Sequence, residues 1–118
     1  MITLISWLLI AAYSAIIAYL SLTSGSNSAP LFPHADKVMH FLAYMGFALV
    51  CIPQINSLKR ATCAFILIAL FGGAMELLQS LTPDRMPSIL DMLANTLGAG
   101  AGAVGALWLR AKVYKRFF

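Results

Sequence analysis

Residues 2–22 contain no charged side chain. At ~1.5 Å of rise per residue, a helix over this run is about 30 Å long, the thickness of a bilayer's hydrocarbon core. The competing reading is a secretory signal peptide. No basic segment precedes the run, it is longer than a usual signal-peptide core, and Tyr13 and Tyr19 interrupt it with hydroxyls. The run therefore predicts a first membrane helix, and the rest of the chain has to fold in the same solvent.

Composition supports that solvent. The chain has 118 residues, of which 61% are hydrophobic and 10% charged. Soluble domains are about a quarter charged. A chain this small buries too low a fraction of its surface to hide so much apolar area in water. The length allows a single domain over residues 1–118. The net charge of +4 does not point to nucleic acid, because the basic residues sit at the ends of apolar runs without interleaved aromatics. They read as topology determinants. Cys51 and Cys63 form no metal or redox spacing and read as small apolar residues.

Three further apolar runs follow. The segment Thr23–Ala35 is rich in Ser, Asn and Pro and reads as a loop. Asp36 stands where an N-cap would precede a second helix that stops near Pro53. A polar connection over 54–61 carries Lys59 and Arg60. The third run ends near Leu81, and a turn with Pro83, Asp84, Arg85 and Pro87 leads to the fourth, which Ser88 is placed to cap. The expected architecture is all-α, a bundle of four transmembrane helices over about 2–22, 37–53, 62–81 and 88–109. The second loop and the C-terminal tail hold unbalanced Lys and Arg, whereas Lys37 and Arg85 are matched by Asp36 and Asp84. The basic bias puts both termini in the cytoplasm of a bacterial inner membrane protein, with the first and third loops outside.

The polar residues within the runs converge in depth. Asp36, His40 and Tyr44 are spaced i, i+4, i+8 and share a helix face. Glu76 lies about 7 Å inside the outer end of the third run at ~1.5 Å per residue, with Gln79 near it. Asp91 and Asn95 occupy the first two turns of the fourth. All of these lie in the expected outer third. Ionisable groups in a span cost a few kcal/mol, and they usually face the bundle interior and pair. Mutual pairing is thus the plain reading, with Lys37 or Arg85 on a carboxylate and His40 on Glu76. The functional reading makes His40, Glu76 and Asp91 candidate acid/base groups, with Asp36, Lys37, Tyr44, Gln79, Arg85, Ser88 and Asn95 as binding residues. Below them, Gly98, Gly102 and Gly105 on the fourth run permit close packing on the second or third helix. Asp36/His40 and Asp91/Asn95 also form a weak internal echo of two hairpins.

The pattern Asp36-Lys37-x-x-His40-x-x-x-Tyr44, then Glu76-x-x-Gln79, Pro83-x-Arg85 and Ser88-x-x-Asp91-x-x-x-Asn95-x-x-Gly98-x-x-x-Gly102 resembles the VanZ-like family. These are small multi-span membrane proteins named after one that confers low-level resistance to the glycopeptide teicoplanin. The resemblance covers about Asp36 to Gly102. It implies a bacterial envelope protein of four spans and specifies no reaction.

Three functions compete. The first is an outer-leaflet site that binds or modifies an anionic lipid, a lipid-linked precursor or an amphiphilic glycopeptide. Lys37 and Arg85 would hold the anion, and His40 would transfer protons, an imidazole being suited to that near neutral pH. Membrane lipids are the expected partners, and neither a cofactor nor nucleic acid is called for. Asp36, His40, Glu76 and Asp91 are competent metal ligands by type, but their spacing is no metal signature, so no metal is expected. The second is a small proton-coupled exporter using Glu76. The third is a structural assembly protein whose helices, with Met75, Met86 and Met92, meet partner helices.

Overall fold

The computed structural model describes residues 3–23, 31–83 and 85–117, excluding the side chains of 54 and 114–117. Among the described residues, four helices make up the fold: α1 (Leu4–Thr23), α2 (Ala35–Cys51), α3 (Leu58–Gln79) and α4 (Ile89–Phe117), with one 3₁₀ turn, Ile52–Gln54, between α2 and α3. Leu4–Thr23, Leu58–Gln79 and Ile89–Val113 are each long and apolar enough to cross a membrane. The 17 residues of α2 reach about 26 Å at ~1.5 Å per residue, making it the shortest helix.

Helix limits differ from the expected ones for local reasons. Asp36 is not the N-cap of α2. That position belongs to His34, in the left-handed region at φ 61°, and Asp36 falls in the first turn. The other end of α2 stops at Cys51, where Pro53 lies in the first turn of the 3₁₀ segment. Extended Ser57 then starts α3 at Leu58, so Lys59 and Arg60 lie in its first turn rather than in a loop. At the end of the chain, α4 runs well past residue 109. No Gly or Pro follows Leu109 to break it. Lys112 Nζ also lies 3.9 Å from the centre of the Trp108 ring one turn back, a cation–π contact on the helix surface.

The tightest seam in the molecule joins α2 to α4. Glycine makes it possible. A Cβ on Gly98 would run into the backbone carbonyl of Phe41, and one on Gly102 into that of Met45 and the side chain of Ala48. Two helices in lipid gain no hydrophobic drive from meeting, so close backbone approach and the dispersion it brings have to supply the attraction. Gly105 faces Leu49 at ordinary contact distance and is not required in the same way. The seam continues through Ala48, Ile52, Ala99 and Ala106, all buried.

By contrast, α1 is a peripheral helix: only Ser6 and Ile17 of its side chains are buried. It docks through Tyr13, whose ring stacks on Phe47 at 5.4 Å and whose hydroxyl donates to the Ala43 carbonyl at 2.8 Å. Tyr44 and Phe71 extend this aromatic cluster across the bundle.

Candidate functional site

The polar residues gather at one end of the bundle, where α2 begins, α3 ends and α4 begins. The start of α4 explains how they are held. Ser88 immediately precedes Ile89, and its Oγ accepts the Asp91 N–H at 3.2 Å, the N-cap bond expected of this serine. The Ser88 N–H in turn donates to Glu76 Oε1 at 2.7 Å. Glu76 therefore places its carboxylate at the positive end of the α4 dipole, which offsets part of the cost of burying it. Only 2% of Glu76 is exposed. Among the described residues, no cation pairs with it.

Two cross-links join α2 to α4 above the glycine seam. Lys37 Nζ donates to Asp91 Oδ1 at 3.0 Å and to Asp36 Oδ2 at 2.8 Å. The side chains of Lys37 and Asp91 are 26% and 14% exposed, against 57% for Asp36, so the Asp91 partner is the better shielded one. One turn deeper, His40 Nδ1 and Asn95 Oδ1 lie 2.9 Å apart. One further turn along α2, Tyr44 is buried. Gly72 of α3 makes room there: a Cβ on it would sit 3.0 Å from Tyr44 Cε1 and 3.1 Å from Asn95 Cβ.

The inventory of partners leaves two buried atoms over. Among the described residues, neither the Tyr44 hydroxyl nor Glu76 Oε2 has a hydrogen-bond partner. They are a donor and an acceptor. Leaving such groups unmade costs about 1–3 kcal/mol each. Buried polar atoms with no partner are rare enough that each calls for an explanation.

Of the residues singled out in the sequence, Asp36, Lys37, His40, Ser88, Asp91 and Asn95 join in this network, and Tyr44 and Glu76 line its buried floor. Several pairings differ from those expected. Lys37 takes Asp36 and Asp91, both among its expected carboxylates, whereas His40 meets Asn95 rather than Glu76. Gln79 Nε2 and Arg85 instead donate to the Ser21 carbonyl of α1, at 2.8 and 3.1 Å. A guanidinium at the last turn of α1 satisfies an end-of-helix carbonyl and the negative end of its dipole. Asp84 lies outside the described residues. The roles of Ser21 and of the Tyr13 hydroxyl were not foreseen. A backbone acceptor leaves no trace in sequence, whereas a tyrosine in an uncharged run was a usable signal. No three His, Cys, Asp or Glu side chains converge among the described residues.

A helical membrane bundle with a polar network at one end is the class of protein that this geometry defines. The family model VanZ/LLP1 matches residues 3–110. The chain belongs to that family, and the match extends the motif resemblance to α1 and most of α4. No curated protein and no solved structure matches it.

Proposed function

We propose that the polar end of this bundle binds the head group of an anionic amphiphile in the outer leaflet of the bacterial inner membrane. The reading rests mainly on the unpartnered Tyr44 hydroxyl and Glu76 Oε2. A phosphate would be repelled by Glu76, but a hydroxyl or ammonium group matches both atoms, as donor to the carboxylate and acceptor from the phenol. The anionic part belongs nearer Arg85. No carboxylate pairs with Arg85 among the described residues, and one carbonyl contact leaves other guanidinium donors for a phosphate. Lys37 contributes less than its charge suggests, because Asp36 and Asp91 already neutralise it. A phosphate-linked sugar lipid of the cell-wall type has both chemistries. An amphiphilic glycopeptide shares the hydroxyl-rich part, which connects this reading to the resistance phenotype implied by the family. In a modifying reaction Glu76, His40 and Asp91 are the acid/base groups.

The orientation belongs to the same proposal. Lys59, Arg60 and Arg110 mark the cytoplasmic end, with both termini on that side. An exporter would need a polar path toward the midplane. Below Tyr44 and Asn95 the α2–α4 seam is lined by Phe47, Ala48, Ala99 and Ala106, which favours the binding reading.

Mass spectrometry of lipids retained by the purified protein tests the proposal. A phosphorylated, hydroxyl-bearing lipid is expected, lost in Glu76→Gln and in Arg85→Ala but kept in Arg60→Gln at the opposite end. The same two substitutions should abolish any change in glycopeptide susceptibility at unchanged protein level. Retention of the same lipid by both Glu76→Gln and Arg85→Ala would sink the reading.

A further inference from the structure

The opposite end of the bundle has a feature that the polar network does not use. A groove of about 480 Å³ opens between α1, α2 and α3. Its size falls within the ~300–1,000 Å³ of small-molecule sites. Trp7 and Ile10 of α1, Phe47 and Cys51 of α2, and the α3 face from Arg60 to Phe71 line it. Among the described residues, Arg60 is the one charged residue in this lining. From Arg60 to Phe71 the groove descends about 16 Å at ~1.5 Å per residue, close to half of a ~30 Å hydrocarbon core. It therefore spans one leaflet, with Arg60 at the interfacial end.

We propose that this groove holds one anionic glycerophospholipid of the leaflet at the Lys59–Arg60 end. One acyl chain lies between α1 and α3, and the phosphate lies at Arg60. Three observations argue for an anionic occupant. Arg60 is exposed and, among the described residues, unpaired with any carboxylate. Lys59 adjoins it, and residues 52–61 contain no acid to neutralise either. Both lie in the first turn of α3, where the helix dipole also favours an anion. The apolar wall explains why the ligand is a lipid rather than a free anion. Helix α1 buries little of its surface in the bundle, and its long-range hydrogen bonds include those from Tyr13 to the Ala43 carbonyl and from Gln79 and Arg85 to the Ser21 carbonyl. This site is separate from the polar end and does not depend on the function proposed for it.

Trp7 lines the groove and reports on it directly. The full-length protein carrying Trp108→Phe, which leaves Trp7 as the single tryptophan, is reconstituted into phosphatidylcholine vesicles. A small fraction of the lipid bears brominated acyl chains, as either phosphatidylglycerol or phosphatidylcholine. Brominated phosphatidylglycerol should quench Trp7 at about fivefold lower mole fraction than brominated phosphatidylcholine, the factor expected of one basic residue near a membrane surface. Arg60→Gln, at an exposed position with no described structural contact, should remove that preference. Ala64→Leu, which fills the groove, should remove it as well, while circular dichroism confirms that both variants remain helical. Equal quenching by the two lipids overturns the proposal, and so does a preference that survives either substitution.

Discussion

The two ends of this bundle solve the problem of life in lipid in opposite ways. At the His40 end, four helix termini are tied by side chains: Lys37 to Asp91, His40 to Asn95, Glu76 to the N–H of Ser88, and Gln79 and Arg85 to Ser21. At the Arg60 end, an apolar groove opens between α1, α2 and α3. Polar contacts between membrane helices contribute little each. Concentrating them at one end therefore fixes geometry there more than it raises stability. The polar end is the one with buried polar atoms unpaired, whereas the groove at the other end is lined by apolar side chains and Arg60.

Substitutions that add volume should separate the two regions most clearly. Gly102→Leu or Gly98→Leu forces α4 off the α2 backbone, and each is expected to cost about 3 kcal/mol, the upper part of the overpacking range. Ala64→Leu in the groove should cost less than about 0.5 kcal/mol, as a substitution with room to spare. Helical signal against denaturant in mixed micelles measures both. Equal costs would mean that the groove is not open space.

Within the polar end, depth should order the next effects. Asn95→Ala removes the partner of the half-buried His40 ring nitrogen and is expected to cost about 1 kcal/mol. Lys37→Met leaves Asp91 without its cation and should destabilise by a similar amount, while the double variant with Asp91→Asn recovers part of the loss. The same unfolding assay reads this coupling, and strict additivity would show that the ion pair contributes nothing. Tyr13→Phe deletes the hydroxyl on the Ala43 carbonyl, for about 1 kcal/mol. Its signature is local: faster cleavage by protease in α1 at unchanged α4 protection. Asp36→Asn should be the smallest, below about 0.5 kcal/mol, because that partner of Lys37 is exposed. A larger loss would move Asp36 from the rim into the working site.

Much of this arrangement was legible beforehand, and the legible parts share a cause. The apolar runs announced helices because lipid leaves the backbone little choice. Ser88 announced a cap, and it makes the cap bond to Asp91. Gly98-x-x-x-Gly102 announced close packing, and it packs against Phe41 and Met45. Each is a local rule read over a few residues. Asp36 as N-cap failed on an equally local point, since His34 takes the left-handed conformation that starts α2.

What remained hidden was the choice of partner. Lys37 had several carboxylates in reach by depth, and His40 had both Glu76 and Asn95. Depth along a helix follows from counting residues, but rotation about its axis and the choice of neighbour do not. By itself the sequence determined four apolar helices, a polar stratum at one end, and the family they belong to. Only the tertiary structure paired α2 with α4 through two glycines, turned Glu76 toward the start of α4, and left its second oxygen and the Tyr44 hydroxyl buried without a partner. The reason is that side-chain pairing in lipid is decided by backbone contact, and backbone contact is a property of the assembled bundle.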